Sequence, residues 1–267
     1  MTEHSVLATF LLPVAQALRI YGIDEMSVFE EAGVDPASAV NADRRIPAGA
    51  MQSLWARCVE RSGDEAFGLI AAEQLQPQVL HGLGLAWLAS DSIYDGLKRT
   101  VRFGKFMNTG AEPRIQETAD TVELIIAPPV RDPEFVFASR DFSVGMLLRM
   151  ARLTLGEYVA PLRVDMERPA PREPQRWEYM LSSPVNFATD TCRVVFVRAD
   201  ITEKLATGNP VLARVNDEQT QSHLDSFLAD SITRDVVDQI VQKLPDGPPS
   251  QHEIAEALHL SNRTLQR

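Results

Sequence analysis

The segment SQHEIAEALHLSNRTLQR, residues 250–267, predicts two short helices that meet at a sharp corner. Ser250 and Glu253 have the spacing of a capping box, in which the serine caps a backbone amide and the glutamate binds back to the serine amide. Ile254 and Leu258 share one face of the first helix, and Ser261 can cap a second one. A helix, a short turn and a helix form the arrangement whose second helix enters the major groove of DNA.

The second of these helices would bury Leu265 and leave its polar side chains facing a duplex. Arginine reads guanine, and asparagine or glutamine reads adenine, through paired hydrogen bonds. The predicted DNA-binding residues are Asn262, Arg263, Gln266 and Arg267. The alternative is a plain helical hairpin whose polar face is only hydrated.

The composition of the chain restricts how such a contact could work. With 267 residues and 45% hydrophobic content, the chain can bury a substantial core. A formal net charge of −11 argues against a broad grip on polyphosphate or on an anionic membrane, so any DNA contact must be local. Cys58 and Cys192 form neither a disulfide framework nor a metal knuckle, which favours the cytoplasm. No apolar run approaches the roughly 20 residues of a membrane-spanning helix.

Residues 1 to about 205 predict a mostly helical α+β domain with a small sheet. A capping box at Ser27 and Glu30 is expected to begin one of its helices. The predicted helices cover residues 6–21, 48–61, 64–75, 79–88, 93–107, 134–155 and about 176–181. The predicted strands cover residues 113–117, 122–127 and 162–166, with a last hairpin formed by 185–187 and 193–197.

A second helical region begins at Asn209. Apolar residues form a broken stripe over residues 211–229, and a further helix continues over 236–244 until the proline-rich run at 245–249 ends it. This stripe predicts either a linker helix that packs on the first domain or a helix that pairs with a second copy of the chain.

The residues quoted above resemble a known family. The run EIAEALHLSNRTLQR is similar to the first helix-turn-helix of the AraC/XylS family of bacterial transcriptional regulators. Residues 45–110, beginning RIPAGAMQSLWARC, resemble the arabinose-binding type of effector domain, which occurs in relatives of ornithine-utilisation regulators. The run SSPVNFATDTCRVVFVRADI, residues 182–201, resembles the closing hairpin of that domain.

The resemblance implies an α+β, mostly helical effector domain with a small sheet, followed by an incomplete all-α helix-turn-helix DNA-binding domain. The expected divisions are an effector domain at 1–208, a linker or dimerisation helix at 209–230 and part of an AraC-type DNA-binding domain at 231–267. Members of the family normally carry two helix-turn-helix units, so we expect that this chain stops inside the first recognition helix and alone binds operator DNA weakly.

The function implied by the resemblance is sequence-specific transcriptional regulation controlled by a small-molecule effector. The implied partners are operator DNA, RNA polymerase, an unknown effector and a second copy of the chain, with no membrane. The alternative is a standalone ligand-binding or protein-interaction module that does not bind DNA.

Candidate effector-binding residues occur on two adjacent predicted helices, where an apolar aromatic pocket with one or two cations would suit a small carboxylate. They are His81, Trp87, Arg99, Arg102, Phe103 and Phe106, with Met107 beside them. The alternative is that the aromatic residues belong to the core and the arginines are solvated.

An enzyme is the remaining alternative, and three motifs in the sequence bear on it. The run HEIAE at residues 252–256 resembles the zinc-hydrolase motif H-E-x-x-H, but a glutamate replaces its second histidine. Gly82 and Gly84 imitate a nucleotide-binding turn, but Trp87 occupies the third glycine position. Neither cysteine has a histidine near it in sequence to activate it as a nucleophile. The sequence therefore predicts no catalytic residue, metal or cofactor.

Overall fold

A computed structural model describes residues 4–40, 44–126, 135–156, 159–244 and 247–257. The chain divides into two compact units, one of residues 3–220 and one of residues 221–267 together with residues 1–2. No helix in the described ranges is both long and apolar enough to cross a membrane.

The helices of the first unit are joined by short loops and three 3-10 turns. In chain order they are α1 Leu11–Ile20, α2 Glu25–Glu31, α3 Ala48–Ser62, α4 Phe67–Glu73, α5 His81–Leu88, α6 Ile93–Arg102, α7 Gly104–Met107, α8 Ala138–Leu155, α9 Pro174–Leu181 and α10 Arg198–Thr202. A longer helix, α11, covers Pro210–Lys243, and α12 covers Gln251–Ala257 in the second unit.

The strands form two sheets. They are β1 Ser5–Leu7, β2 Arg45–Pro47, β3 Arg114–Glu117, β4 Thr121–Ile125, β5 Arg163–Asp165, β6 Val185–Asn186 and β7 Arg193–Val197. Strands β1 and β2 pair with each other, and the other five have the order β3-β4-β7-β5-β6. Among these described strands, β5 and β6 run parallel and the other pairs are antiparallel. The fold is therefore α+β and mostly helical with a small sheet, which confirms the predicted class.

The predicted helix at 6–21 is partly wrong. Ser5–Leu7 pairs with Arg45–Pro47 as a strand, and α1 begins only at Leu11. Arg45 strengthens this pairing because its guanidinium donates to the Ser5 hydroxyl at 2.9 Å and to the Ser5 carbonyl at 3.1 Å. A partner some 40 residues away in sequence thus overrides the local helical periodicity.

The predicted capping box at Ser27 is also wrong. The N-cap of α2 is Asp24, whose carboxylate accepts the Ser27 backbone N–H at 3.2 Å, so Ser27 lies inside the helix. Asp24 has the extended backbone that a capping residue needs. The predicted end of this helix is confirmed, because Gly33 follows it with a φ of 68°.

The predicted hairpin of residues 185–197 does not form. Strand β5 lies between β6 and β7, so Val185 pairs with Val164, while Val194 pairs with Val164 on one side and Leu124 on the other. Val194 and Val164 are both fully buried, and this long-range burial decides the pairing. The predicted end of β4 at residue 127 and start of α8 at residue 134 lie outside the described residues.

Helix α11 is one continuous helix where the sequence predicted two. The helix continues through the polar run at residues 218–222. Thr220 is buried and its hydroxyl donates to the Asn216 carbonyl at 2.8 Å, one turn earlier. The Asn209 side chain caps the start of the helix by accepting the Leu212 N–H at 3.0 Å.

The core that supports the site is built on close contact between α4 and α8. A Cβ at Gly68 would lie 2.1 Å from the Ala138 carbonyl oxygen, and one at Gly145 would lie 2.6 Å from the Ala72 Cβ. These glycines let the two helix backbones approach each other. Trp55 packs between Phe67 and Phe142, with ring centroids at 6.3 and 5.2 Å.

In the second unit, the predicted capping box of α12 is confirmed. The Ser250 N–H donates to Glu253 Oε2 at 2.6 Å, and the Glu253 N–H donates to Ser250 Oγ at 3.3 Å. Ile254 and Ala255 are buried, as a helix with one apolar face requires. Leu258 and the predicted second helix of the helix-turn-helix lie outside the described residues.

Candidate functional site

The first unit contains a cavity of about 530 Å³. It lies among β1, α3, α5, α6, α7, β4 and α8, and its volume falls in the range of roughly 300 to 1,000 Å³ that holds drug-sized ligands. Apolar side chains supply most of its wall. They include Phe10, Met51, Trp55, Leu80, Leu83, Trp87, Met107, Leu124, Phe142, Met146, Leu147 and Met150. Four methionines among them give the wall adaptable, polarisable surface.

Trp87 connects the cavity to α6. The indole packs over Gly96, where an added Cβ would lie 2.6 Å from the ring. Its Nε1–H donates to the Thr100 hydroxyl at 3.0 Å, and that hydroxyl donates to the Gly96 carbonyl at 3.2 Å. The polar atoms of both side chains are therefore already bonded, and Trp87 presents an apolar surface to the cavity.

The polar side chains on the α3 and α8 walls also bond to the protein. Gln52 accepts the Val136 N–H at 3.0 Å and donates from Nε2 to Ser139 Oγ at 3.1 Å. The Ser139 hydroxyl donates to the Val136 carbonyl at 2.9 Å, and the Ser143 hydroxyl donates to the Ser139 carbonyl at 3.0 Å. These bonds hold the wall together and use the hydroxyl donors of Ser139 and Ser143.

The charged groups of the lining do not suit a cationic ligand. Arg140 borders the cavity, and its Nε lies 3.0 Å from Glu167 Oε2 in an ion pair that is largely buried. The Arg140 guanidinium also lies 5.4 Å from the centre of the Phe135 ring. Among the described lining residues there is no aspartate or glutamate, so the cavity offers no counter-charge to an ammonium group.

Asn108 provides a different kind of polar group at the cavity. Its Oδ1 accepts the Gly110 N–H at 2.9 Å, which fixes the orientation of the amide. Within the part of the chain that the structure describes, its Nδ2 makes no hydrogen bond. Asn108 and His4 border the cavity on the α7 and β1 side, and the Asn108 backbone bridges to Val6.

The first turns of α11 dock on the helices that form the cavity wall. Arg99 on α6 donates from Nε to Asp217 Oδ1 at 3.0 Å and from Nη1 to the Ser90 hydroxyl at 3.0 Å. On α5, a Cβ at Gly82 would lie 2.8 Å from Thr220 Oγ1 and 2.9 Å from the Asn216 carbonyl oxygen. Helices α5 and α6 therefore contact both the cavity and α11.

The docked part of α11 buries its small and polar residues and exposes its apolar ones. Ala213, Asn216 and Thr220 are buried. The exposed residues are Val211, Leu212 and Val215, at 65%, 49% and 52% of their full accessibility. This distribution is the reverse of the usual one and leaves an apolar strip on the surface of the first unit.

Comparison with known proteins gives the family. The family model described as the arabinose-binding domain of AraC transcription regulators, N-terminal, matches residues 22–205. The chain belongs to this family. It is 21% identical over 265 residues to the ornithine utilization regulator of Pseudomonas aeruginosa, covering 96% of this chain and 78% of that protein. The crystal structure of the transcriptional regulator CdpR from Pseudomonas aeruginosa superposes with a TM-score of 0.55 at 15% identity, over 95% of this chain and 76% of that one.

These findings make the chain an AraC-type transcriptional regulator with an N-terminal effector-type domain, as its sequence indicated. The family consists of regulators and not of enzymes. The likeness to CdpR shows the fold alone, and it agrees with the α+β architecture described above.

The residues predicted to bind the effector lie in several different environments in this regulator. Trp87 and Met107 border the cavity. Phe103 and Phe106 are buried, and the Phe106 ring meets that of His81 edge-on at 6.1 Å. The lining does not include His81, Phe103, Phe106, Arg99 or Arg102.

The two predicted arginines have different surroundings. Arg99 is paired with Asp217, whereas Arg102 is exposed and its guanidinium lies 4.7 Å from the centre of the Phe103 ring. The sequence did not indicate Phe10, Gln52, Trp55, Asn108 or Phe142 as cavity residues. No local pattern marks them, because they come from α3, α8, the turn after β1 and the residue after α7, which only the tertiary fold brings together.

The residues that resemble enzyme motifs have simple structural roles. Burial raises the pKa of Cys58 and of Cys192 to about 12, so both thiols stay protonated and serve as packing groups. In the described ranges, no three histidine, cysteine or acidic side chains are grouped to hold a metal ion. Gly82 and Gly84 allow close packing, against α11 and against the Pro77 carbonyl respectively. Residues 259–267, with the predicted DNA-binding side chains, lie outside the described residues.

Proposed function

We propose that this AraC-type regulator binds a small-molecule effector in the 530 Å³ cavity and binds operator DNA through its C-terminal part. The observation that carries the proposal is that α5 and α6 form the cavity wall and also hold the first turns of α11. Helix α11 then continues from the first unit into the second.

The route from ligand to α11 begins at Trp87. A ligand that presses on the indole acts on Gly96 and Thr100 of α6, and Thr100 is next to Arg99 in the chain. Movement of α6 changes the geometry of the Arg99–Asp217 ion pair, and movement of α5 changes the contact of Gly82 with Thr220. An effector that fits one arrangement of these helices better than another shifts the population of α11 positions.

The DNA contact in this proposal is made by Asn262, Arg263, Gln266 and Arg267. The support is the family, the confirmed capping box that begins α12, and the suitability of these side chains for base edges and phosphates. Operator DNA and RNA polymerase are then the macromolecular partners, and action on chromosomal DNA places the regulator in the cytoplasm.

Self-association is part of the same proposal. The exposed strip of Val211, Leu212 and Val215 is the surface that a second copy would cover. Light scattering of wild type and of Val215→Glu tests it. We expect wild type to form a dimer and the charge of the Val215→Glu variant to weaken it. A wild type that is monomeric at all concentrations would contradict self-association.

The DNA-binding element is tested by fluorescence anisotropy with full-length regulator and its operator. Arg263→Ala should weaken binding by about 1 to 3 kcal/mol and relax discrimination between operator and unrelated DNA. Arg172→Ala is the matched control, because the Arg172 side chain is 90% exposed in the first unit. Equal affinity of Arg263→Ala and wild type would favour the alternative, a ligand-binding or interaction module that does not use this helix on DNA.

The effector element is tested separately by a thermal-shift screen of metabolites. A compound that binds only the native state raises its apparent stability. Ser143→Phe places a large ring at the cavity wall, so we expect it to abolish the shift. Ser53→Phe is the control, because Ser53 is exposed on α3 and does not border the cavity. A shift that persists in Ser143→Phe would place the effector elsewhere.

A further inference from the structure

We infer that the effector is an apolar molecule with a single hydrogen-bond-accepting head group, a carboxylate or a carbonyl, and that the Asn108 amide donates to this head group. The inference rests on the proposed role of the cavity and gives the chemical class of its ligand.

The apolar skeleton follows from the wall. Aromatic rings from Phe10, Trp55, Trp87 and Phe142 and four methionines surround the space. A ligand gains affinity there by removing apolar surface from water, and methionine side chains adjust to chains or rings of different outline. The shared chemistry is therefore hydrocarbon surface, as an aliphatic chain or as fused aromatic rings.

Strongly polar ligands are disfavoured by the same wall. The polar atoms of Gln52, Thr100, Ser139 and Ser143 already bond to the protein. A sugar would bury several hydroxyl groups against hydrocarbon, and each one left without a partner weakens binding by roughly tenfold. A diamino acid would bring ammonium groups into a lining whose described residues include no carboxylate.

The head group is assigned to Asn108 because its amide is held in place with its donor unused. The Gly110 N–H bond to Oδ1 identifies which amide atom is the oxygen, so the other atom is the NH₂ group. Among the described residues no acceptor binds this nitrogen, and Asn108 borders the cavity. A donor selects an acceptor on the ligand, which excludes an ammonium head and admits a carboxylate or carbonyl.

Competition against a fluorescent probe tests the class of ligand. Full-length regulator is loaded with N-phenylnaphthylamine, whose emission rises in apolar sites. Dodecanoate and naphthalene carboxylate, a chain and a ring system with the same head, are compared with xylose and lysine as competitors. We expect one or both carboxylates to displace the probe and neither polar compound to do so. Ser143→Phe should lose probe binding, and Ser53→Phe should keep it.

Asn108→Asp tests the head group. Aspartate keeps an oxygen for the Gly110 N–H but replaces the donor with an acceptor, so dodecanoate should bind roughly tenfold more weakly while the neutral probe is unaffected. Unchanged dodecanoate affinity would overturn the assignment of Asn108. Displacement by xylose or lysine, lost in Ser143→Phe, would overturn the ligand class and leave the effector cavity standing. If no compound displaces the probe and Ser143→Phe leaves probe binding unaffected, both the ligand class and the effector cavity would be overturned. The operator assay is independent of this result.

Discussion

Arg99 and Asp217 form an ion pair that joins α6 to the start of α11, with the Arg99 Nε at 3.0 and 3.2 Å from the two carboxylate oxygens. Both side chains are mostly buried, so their attraction is screened less than that of surface pairs. Arg99 also donates to Ser90, which fixes the guanidinium before Asp217 meets it. The pair therefore makes the position of α11 depend on the geometry of the cavity wall.

Asp217→Asn should loosen the first turns of α11. It removes the charge from a hydrogen bond between ions, which costs about 1 to 3 kcal/mol. We expect faster hydrogen exchange over residues 210–220 and a weaker response of a reporter gene to the effector. Glu218→Gln is the neighbouring control, because the Glu218–Arg214 pair is exposed on both sides. Unchanged exchange in Asp217→Asn would show that the pair does not hold the helix.

Gly82→Ala tests the second contact that holds α11. The new Cβ would lie within 3 Å of Thr220 and Asn216, so the helix must move away, at a cost of about 1 to 3 kcal/mol. Gly49→Ala is the matched control, since a Cβ there meets no atom within 4 Å and replaces a helical glycine. Thermal unfolding should show a lower Tm for Gly82→Ala and an equal or higher one for Gly49→Ala. An equal change in Tm in the two variants would show that Gly82 does not hold α11 by close contact.

The sequence predicted elements best where one apolar face repeats along a helix. Helix α3 was predicted at 48–61 and spans Ala48–Ser62, because Met51, Leu54 and Cys58 recur at helical spacing and are buried. Periodicity cannot identify a strand whose partner is remote. The sequence predicts a helix where residues 6–7 form a strand, because the partner that includes Arg45 is remote in sequence. It also predicts the wrong partner for Val185–Asn186, which pairs with the strand that contains Val164.

The cavity was only partly predictable for a related reason. Trp87 and Met107 were proposed because they lie on successive helices rich in aromatic residues. The opposite wall comes from α3 and α8, and no spacing in sequence reveals that Trp55 and Phe142 face the same space. The predicted arginine contacts also depended on tertiary partners, because Asp217 lies 118 residues from Arg99.

Tyr21→Phe should make the protein less sensitive to alkaline pH. Burial, and then the hydrogen bond to Asp64, raise the pKa of Tyr21 to about 12. The unfolded phenol titrates near pH 10, so the native state binds more protons between about pH 10 and 12, and stability falls as the pH rises through that window. Across that window, the free energy of unfolding should fall less in the variant than in wild type, by at most about 2 kcal/mol.

Urea unfolding between pH 8 and 12 measures that difference, with Tyr179→Phe as the control because Tyr179 is 85% exposed. Arg176 holds Asp64 through two bonds of 2.7 Å in either variant, so the partner carboxylate remains in place. Parallel curves for wild type and Tyr21→Phe would show that Tyr21 does not contribute to the alkaline limb.

Ser250→Ala should destabilise α12 without affecting the first unit. The hydroxyl caps the Glu253 amide, and loss of such a cap costs about 0.5 to 2 kcal/mol. Hydrogen bonds to the Ser250 side chain, and then to its amide, also hold the pKa of the Glu253 carboxyl below its usual range, so the cap weakens as the pH falls through this lowered pKa. We expect faster hydrogen exchange over residues 251–257 and weaker operator binding. Ser222→Ala, an exposed change within α11, should alter neither, and an unaltered α12 in Ser250→Ala would mean that its buried residues, Ile254 and Ala255, suffice to form the helix.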